Sequence, residues 1–448
     1  MCNTIAAIAT PPGEGGIAVI RISGPESLKI ANAVFSKNIY LFKSHTAHYG
    51  HIQNAQGELI DHVLVLPMLA PRSYTGEDVV EIHCHGGLMA TKVLKTILDA
   101  GASPAGPGEF TYRAYINGKM DLAQAEAVQA LIGAKNELAL KAANAQLEGA
   151  LSQKIENFQK QLADTAAILE AWVDFPEEGL EFASLEETIA NLETIQTSMH
   201  ALNASFHDGK IISQGLSLCL VGSPNVGKSS LMNLLLGKDR AIVTHLPGTT
   251  RDTLEDDLKI GGLHFRLIDT AGMRVTDELI EKEGIKRSQK ALEQADLILF
   301  VLDTTRPLQS EEKELFQTLD PKKTLLIWNK IDVKPINVAK SNFPFTTQLS
   351  AKTGQGLEDL KALIEAAVWK NGAPSKEEII LTQQRHATAL GDALLALSAL
   401  VNGLKSQISP EFLSSDMRAC LLALSQIRGT DITEDILSAI FSKFCVGK

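Results

Sequence analysis

The spacing of hydrophobic residues divides the 448-residue chain into segments of different character. Residues 1–118 contain short apolar runs typical of β-strands, such as IAVIRIS, HVLVLPML and DVVEIHC, separated by Gly, Pro and His. Over 119–214 the apolar residues recur every three or four positions, which is the period of long helices packed on one face. Strand-like and helical runs alternate over 215–373, and a helical pattern rich in Ala and Leu fills 374–448.

These patterns predict a multidomain protein of the α/β and α classes. The alternating segment predicts an α/β domain with a mainly parallel sheet, inserted between two parts of a helical domain. A prior of roughly 150 residues per domain agrees with about three domains. The predicted domains are an N-terminal α+β domain at 1–118, a discontinuous helical domain at 119–214 and 374–448, and the inserted α/β domain at 215–373.

Two local features refine this division. The sequence VDFPEEG at 173–179 predicts a break between helices, because Pro176 lacks an amide donor and Gly179 favours a turn. The longest wholly apolar run, 297–302, is too short to cross a bilayer, so no membrane association is expected.

Composition and charge narrow the class of protein. Hydrophobic residues make up 45% and charged residues 21%, as in ordinary globular chains. The five cysteines are never spaced CxxC, which argues against a disulfide framework or zinc ribbon and favours a reducing, cytoplasmic location. The net charge is −11, but most of it comes from 119–214, with 6 basic and 15 acidic residues. Strong autonomous binding of RNA is therefore not expected, although a partner protein can supply a basic surface.

The strongest functional signal is the sequence GSPNVGKS at 222–229, which follows a predicted strand at 218–221 and opens a predicted helix. Glycines in such a loop let backbone amides surround phosphates, and the helix N-terminus adds its dipole. Lys228 is predicted to neutralise the β- and γ-phosphates, and Ser229 to hold Mg²⁺ through its hydroxyl.

Further motifs follow in the order that a GTP site requires. DTAG at 269–272 places a carboxylate near the metal and a glycine amide near the γ-phosphate. NKID at 329–332 ends in an aspartate that can accept both N–H donors of a guanine edge, SAK at 350–352 is placed to cover the base, and PGTTRD at 247–252 supplies switch threonines. The predicted GTP contacts are Asn225, Val226, Gly227, Lys228, Ser229, Ser230, Thr244, His245, Leu246, Pro247, Gly248, Thr249, Thr250, Asp269, Thr270, Ala271, Gly272, Asn329, Lys330, Asp332, Ser350, Ala351 and Lys352.

Two residues bear on hydrolysis. Met273 follows DTAG, where many small GTPases carry a glutamine that orients the attacking water, and a thioether cannot do this. The amide carbonyl of Asn225, within the phosphate loop, can help to ligate a monovalent cation beside the phosphates. The residues alone do not choose which acidic side chain of the following segment acts on water: Asp277, Glu278, Glu281 or Glu283.

The combined motifs resemble the MnmE/TrmE family of bacterial tRNA-modification GTPases, over essentially the whole chain. The motifs in question are GSPNVGKSSLMN, IVTHLPGTTRD, DTAGMR and NKID, and the more specific ones are an N-terminal TPPGEGGIAVIRISG and a terminal FCVGK. The resemblance implies an N-terminal domain that binds 5-formyl- or 5,10-methylene-tetrahydrofolate and forms a homodimer, a helical domain, and an inserted Ras-like P-loop G domain. It also implies a partner, the FAD-dependent MnmG, in a heterotetramer or larger complex. Such complexes add an aminomethyl or carboxymethylaminomethyl group to C5 of the wobble uridine of certain tRNAs.

The resemblance further assigns roles to single residues. It places the catalytic glutamate on Glu281. The implied K⁺ ligands are Asn225, Thr244, Leu246 and Thr249, and the implied Mg²⁺ ligands are Ser229 and Thr250. The implied folate contacts are Arg21, Glu81, Lys119 and Lys448, residue types that suit the carboxylates and pterin N–H groups of a folate.

Two further signals have competing interpretations. His83 and His85 flank Cys84, but alternation along a strand puts only the two histidines on one side, so a strand end that enters a turn is preferred over a metal site. For Cys445, in the terminal FCVGK, two interpretations stay open: a buried cysteine at a helix end, or a catalytic thiol in the modification chemistry.

Three functional hypotheses follow from the sequence. The leading one is a K⁺-activated GTP hydrolase in tRNA wobble-uridine modification. The alternative is a ribosome-assembly GTPase, but such proteins usually carry a basic RNA-binding appendage or a second G domain, and neither is visible in the sequence. A third is a folate-binding scaffold for which GTP is only a structural ligand, and multiple-turnover hydrolysis would exclude it.

Overall fold

In the residues that the computed structural model of this chain describes, two six-stranded sheets are accompanied by a group of long helices. This architecture confirms the prediction of a multidomain protein with α/β and helical parts. The structure describes residues 3–174, 185–238, 257–260, 262–268, 292–333, 342–369 and 378–448.

The N-terminal sheet has the strand order β3-β4-β5-β2-β1-β6, in which only the β1–β6 pair is parallel. Two of its helices, α1 and α2, cover one face, where alternate residues of β2 and β5 form a core with Val93 and Ile97. The elements are β1 Ile5–Ile8, β2 Ala18–Ser23, α1 Ser27–Val34, a short 3₁₀ helix Ile39–Leu41, β3 His48–Gln53, β4 Leu59–Met68, β5 Val79–Cys84, α2 Leu88–Asp99, β6 Ser103–Pro104 and α3 Glu109–Ile116.

The helical part joins two distant stretches of the chain. Its elements are α4 Leu122–Gly133, α5 Glu137–Leu147, α6 Ala150–Asp174, α7 Leu185–Ala204 and α8 Phe206–Gln214 before the second sheet, and α12 Gln384–Lys405, α13 Pro410–Arg428 and α14 Glu434–Phe441 after it. Side chains of α6, α7, α12 and α13 share one hydrophobic core. Helix α6 ends at Asp174, within the predicted VDFPEEG break; the rest of that sequence, 175–179, lies outside the described residues.

Helix α12 is long and apolar enough to span a membrane by length and composition alone. Many of its apolar side chains, among them Leu390, Leu397 and Leu400, are instead buried in the helical core, although Leu395 is exposed. A central helix of a folded domain can have the same composition, so the hydropathy of α12 does not by itself indicate a membrane-spanning segment.

The second sheet has the order β12-β11-β10-β7-β9-β8 and is parallel except for the edge strand β8. Its elements are β7 Leu216–Val221, α9 Lys228–Lys238, β8 Asp257–Ile260, β9 Leu263–Ile268, β10 Leu297–Asp303, α10 Ser310–Thr318, β11 Thr324–Asn329, β12 Phe345–Leu349 and α11 Leu357–Val368. The predicted strands LSLCLV, FRLI, LILFVLD and TLLIW are confirmed. Because β7, β10 and β11 are parallel neighbours, the loops after their carboxyl ends lie at one edge of the sheet.

Candidate functional site

The phosphate loop connects β7 to α9 and packs tightly on its neighbours. Gly222 has φ +148°, and a Cβ there would lie 2.3 Å from the carbonyl oxygen of Val301 in β10. Asn225 adopts the left-handed conformation with φ +63°, which asparagine tolerates better than most residues. Gly227 has φ +101°, and a Cβ on it would lie 2.2 Å from Asn329 Nδ2. The glycines of this motif are therefore required by backbone geometry and by close approach.

Lys228 opens α9 and its side chain turns back along the loop. Its Nζ donates to the carbonyl oxygens of Gly222 at 2.6 Å and of Ser223 at 2.9 Å. Burial lowers the pKa of Lys228, and the negative charge of Glu312 opposes that effect in part. Ser229 and Ser230 follow on the first turn of α9 and are exposed, which leaves their hydroxyls open to a ligand.

Asn329 links the phosphate loop to the base-recognition motifs. It ends β11 and is buried; its Nδ2 donates to the carbonyl of Val226 at 2.8 Å, and its Oδ1 accepts from the amide of Ala351 at 2.9 Å. One amide side chain thus holds three motifs in a fixed arrangement. The structure brings together these residues, as the order of the motifs predicted.

The side chains that are predicted to face the base are also fixed by hydrogen bonds. Ser350 Oγ donates to Asp332 Oδ1 at 2.7 Å, which orients the carboxylate. Lys330, held at φ +71°, pairs through Nζ with Asp303 Oδ2 at 2.6 Å. Burial raises the pKa of Asp303, but hydrogen bonds from Lys330 and Thr305 outweigh burial and lower it, so the Asp303 carboxyl is ionised at neutral pH.

A cavity of about 610 Å³ opens between these motifs. It is lined by residues from the phosphate loop and α9 and from both base-recognition motifs, including Gly227, Ser230, Lys330, Asp332 and Lys352. Its volume lies in the range of pockets that enclose a small molecule such as a nucleotide. The lining combines the phosphate loop, at Gly227 and Ser230, with the Asp332 carboxylate at the base-recognition end, and this arrangement suits GTP.

Several predicted contacts lie outside the described residues. These are Thr244, His245, Leu246, Pro247, Gly248, Thr249, Thr250, Asp269, Thr270, Ala271, Gly272 and Glu281. Of the predicted K⁺ ligands, only Asn225 is described, and of the Mg²⁺ ligands, only Ser229. Ser229 is an exposed hydroxyl beside the phosphate loop, which fits a hard cation such as Mg²⁺.

A second group of predicted residues meets on the N-terminal sheet. Arg21 of β2 and Glu81 of β5 are cross-strand partners, and the guanidinium donates twice to Glu81 Oε1, at 2.9 and 2.8 Å. Arg21 also lies over the rings of Tyr74 and Phe110, at 5.4 and 5.7 Å from their centroids. Its Nη1 reaches the carbonyl of Gly447 at 3.5 Å, so the C-terminal tail joins this group.

The remaining predicted folate contacts are less clearly connected to this pair. Lys119 Nζ donates to the carbonyl of Pro71 at 3.0 Å, and Lys448 is half-buried at the end of the tail beside Gly447. Cys445 is exposed, so it is not the buried helix-end cysteine of the first interpretation.

The sequence HCH at 83–85 lies at the end of a strand, which is the interpretation that the alternation of side chains favoured. β5 ends at Cys84, and the chain then turns at Gly86 and Gly87 into α2. His85 Nδ1 lies 2.7 Å from Asp61 Oδ1. Within the described ranges, no group of three or more His, Cys, Asp or Glu side chains could hold a metal ion.

Sequence reasoning missed the partners of the predicted site residues. Asp303 is not among the predicted contacts, although it ends β10 directly beside Asn329 of the neighbouring parallel strand. A carboxylate at the carboxyl end of a neighbouring strand was the available signal. Tyr74 and Phe110, which flank Arg21, come from a loop and from α3, and no spacing in the sequence connects them.

The parallel sheet, the phosphate loop and the paired base-recognition motifs define a P-loop GTPase. Comparison with protein families gives two matches, described as the MnmE helical domain over residues 122–445 and the GTP-binding protein TrmE N-terminus over 4–119. The chain therefore belongs to the MnmE/TrmE family. It is a GTP hydrolase with a role in tRNA modification, as the sequence predicted.

Curated relatives match along their whole length. The tRNA modification GTPase MnmE of Protochlamydia amoebophila (strain UWE25) is 59% identical over 447 residues, which cover 100% of this chain and 98% of the relative. The protein of the same name from Chlamydia pneumoniae is 45% identical over 450 residues, covering 100% and 99%. Among solved structures, the G domain of the T. maritima FeoB iron transporter is 28% identical, covers 34% of this chain and 99% of that chain, and has a TM-score of 0.25.

Proposed function

We propose that this GTPase is activated by K⁺ and acts with Mg²⁺. The observation that supports the cation site is Asn225, an exposed amide side chain held in the left-handed conformation within the phosphate loop. Its carbonyl oxygen is a suitable ligand for a monovalent cation beside the phosphates, together with Thr244, Leu246 and Thr249. Met273 at the usual glutamine position cannot orient water, so another residue has to do so. Glu281 is the proposed catalytic glutamate, because the resemblance to the family places that role on it.

GTP turnover by the full-length protein tests this proposal. Replacement of K⁺ by Na⁺ at equal ionic strength is expected to lower kcat by an order of magnitude or more. Glu281→Ala should keep nucleotide binding and lose hydrolysis, whereas Glu278→Ala, an acidic neighbour, should keep both. Equal rates in the two salts would refute K⁺ activation, and normal turnover by Glu281→Ala would refute the catalytic assignment.

We further propose that the N-terminal domain binds 5-formyl- or 5,10-methylene-tetrahydrofolate. The Arg21–Glu81 pair lies on the face of the N-terminal sheet opposite α1 and α2, flanked by two aromatic rings and by the C-terminal tail. Such a site offers a cation for glutamate carboxylates, a carboxylate for pterin N–H groups and aromatic surface for a planar ring. Lys119 and Lys448 complete the proposed contacts.

The proposed biological role is addition of an aminomethyl or carboxymethylaminomethyl group to C5 of the wobble uridine of certain tRNAs. In this proposal a homodimer in the cytoplasm acts with the FAD-dependent MnmG, and Cys445 is a candidate thiol in the chemistry because it is exposed on the tail beside Gly447. Nucleoside mass spectrometry of tRNA from a strain that lacks the gene is the test. Unchanged wobble uridines would refute the role.

The domain boundaries at residues 118, 214 and 373 are proposed as the sequence predicted them.

A further inference from the structure

An ion pair connects the end of β10 to the lysine of the NKID motif. Asp303 ends β10 with its side chain 6% exposed, whereas Lys330 follows β11 and its side chain is 34% exposed. The two residues meet because Asp303 and Asn329 are partners in the parallel register of the two strands. Lys330 Nζ donates to Asp303 Oδ2 at 2.6 Å, which is a charge-assisted hydrogen bond.

The neighbours of Asp303 hold this pair in place. The second carboxylate oxygen, Oδ1, accepts from the Thr305 amide at 2.9 Å and from the Thr305 hydroxyl at 2.6 Å. Thr304 is buried and donates to the Asn329 carbonyl through its amide at 3.0 Å and its hydroxyl at 2.8 Å. Since Asn329 directly precedes Lys330, the end of β10 holds both the backbone before the lysine and the ammonium group of its side chain.

The hydrogen bond to Asp303 bears on the nucleotide cavity, because Lys330 lines this cavity and Asp303 does not. Lys330 and Asp332 belong to one turn, which the Val333 amide closes by donating to the Lys330 carbonyl at 3.0 Å. An ammonium group on a flexible four-carbon stem can pair with a carboxylate two residues away. Once released from β10, the lysine is therefore able to occupy the carboxylate of Asp332, which is predicted to bind guanine.

We propose that Asp303 is a positioning residue for guanine recognition. It holds the Lys330 ammonium group at the end of β10 and thereby keeps the Asp332 carboxylate free for the N–H groups of the base. Asp303 does not contact the nucleotide, and its effect passes through Lys330. This role rests on the predicted recognition of guanine by Asp332.

The dissociation constants of GDP and inosine diphosphate, measured by displacement of a fluorescent GDP analogue from the folded full-length protein in Mg²⁺, test this role. Inosine diphosphate lacks the 2-amino group of guanine, so the ratio of the two constants reports the contact between base and carboxylate. Asp303→Asn is expected to raise the dissociation constant of GDP about tenfold and that of inosine diphosphate about twofold. The preference for GDP should therefore fall about fivefold, whereas a purely structural role would change both constants equally. An unchanged ratio in the folded variant would overturn the proposal.

Asp296→Asn is the matched control. Asp296 directly precedes β10 and accepts from the amide and the hydroxyl of Ser217, at 2.8 and 2.6 Å. It is thus a hydrogen-bonded carboxylate at the opposite end of the same strand, and both dissociation constants should stay within about twofold of wild type. An equal loss of GDP preference in this variant would show that any disturbance of β10 has this effect, and Asp303 would have no special role.

A double variant isolates the effect of the ammonium group. Lys330→Met keeps an unbranched side chain and removes the charge that competes for Asp332. The double variant Asp303→Asn, Lys330→Met is therefore expected to recover the wild-type preference for GDP within about twofold. If the preference stays as low as in Asp303→Asn alone, the released lysine is not the cause and the proposal is wrong.

Two further variants cover the other possible failures. If Asp303→Asn does not fold, Thr305→Val takes its place, because it removes the 2.6 Å hydrogen bond that orients the carboxylate. The preference for GDP should then fall about twofold, and no change would count against Asp303. Asp332→Asn should lower the same ratio; if it does not, the predicted base recognition itself fails, whereas a loss in Asp332→Asn with none in Asp303→Asn refutes only the positioning role.

Discussion

Asp332 is the residue expected to decide which base enters the cavity. Ser350 occupies Oδ1 from one side, and the carboxylate is left with lone pairs for two N–H donors. Asp332→Asn should weaken GTP binding roughly 100-fold, because two charge-assisted hydrogen bonds are lost or weakened. The same change should improve binding of xanthosine triphosphate, whose extra carbonyl can accept from the new amide.

Competition titrations with GTP and xanthosine triphosphate measure this change of preference. Asp359→Asn is the control, because Asp359 is exposed on α11 and does not line the cavity. GTP affinity unchanged by Asp332→Asn would mean that the base is recognised elsewhere.

Glu126 shows how a single buried charge affects stability. It lies on α4, 6% exposed, and accepts from Arg385 at 3.0 and 2.7 Å and contacts His386 Nε2 at 2.6 Å, both residues of α12. Burial raises the pKa of Glu126, but His386 and Arg385 outweigh burial and lower it to about 2. The folded state therefore favours the carboxylate, and this contribution is full above the ordinary pKa and lost as the pH falls toward about 2.

Glu126→Gln is expected to lower the free energy of unfolding by about 3 kcal/mol at pH 7, because Arg385, whose side chain is only 21% exposed, loses its charged partner. The difference between wild type and variant should shrink as the pH falls below about 4.5, since the wild-type carboxylate then becomes protonated on unfolding. Urea unfolding of both proteins from pH 7 to pH 3.5 provides the measurement. A difference independent of pH would show that packing, and not charge, is responsible.

At the scale of elements, the phosphate loop and the end of β11 act as one unit. Gly227→Ala would place a Cβ 2.2 Å from Asn329 Nδ2, on a residue that already needs a positive φ. We expect the bond from Asn329 to the Val226 carbonyl to break and GDP affinity to fall at least tenfold.

Gly237→Ala is the matched control for Gly227→Ala. Gly237 lies near the end of α9, and a methyl group added there would have nothing within 4 Å, so alanine should be tolerated and should favour the helix. Isothermal titration with GDP compares the two variants. Equal GDP affinity in both would contradict the proposed coupling between the loop and Asn329.

The sequence predicted the central strands of the second sheet because strands buried on both faces read as continuous apolar runs. It did not predict β8, which has only four residues, or β3, whose sequence HYGHIQ is largely polar at a sheet edge. The same contrast, between features with a clear local sequence pattern and features without one, holds at the candidate nucleotide site. The phosphate loop and NKID are local in sequence, whereas Asp303 meets Lys330 only through the pairing of β10 with β11, which no spacing records.

At the scale of the whole molecule, packed contacts connect the inserted sheet to the helical core. A Cβ on Gly209 of α8 would lie 1.9 Å from the carbonyl of Leu381, just before α12, and the Leu381 amide donates to Ser205 Oγ at 3.1 Å. The chain thus enters and leaves the inserted sheet beside the same few residues. Helix α8 leads directly into β7, and its residues Ile211 and Ile212 pack in the core of the second sheet.

The C-terminal tail connects the helical part to the N-terminal sheet. Val446 forms an antiparallel bridge with Pro107, and the amide of Gly108 donates to the Cys445 carbonyl at 3.3 Å. Gly447 has φ +95°, and a Cβ there would lie 2.3 Å from the carbonyl of Ile8. Alanine at this position must displace the tail, and with it the carbonyl that faces Arg21.

Gly447→Ala is therefore expected to weaken tetrahydrofolate binding about tenfold and to leave GTP turnover within about twofold, since the nucleotide site lies on a different sheet. Gly133→Ala, with nothing within 4 Å of the added methyl group, is the control. Calorimetric titration with 5-formyl-tetrahydrofolate and a GTPase assay on the same samples measure both sites. Normal folate binding by Gly447→Ala would remove the tail from the site, whereas no binding by the wild type would refute the folate proposal itself, so the two failures are distinguishable.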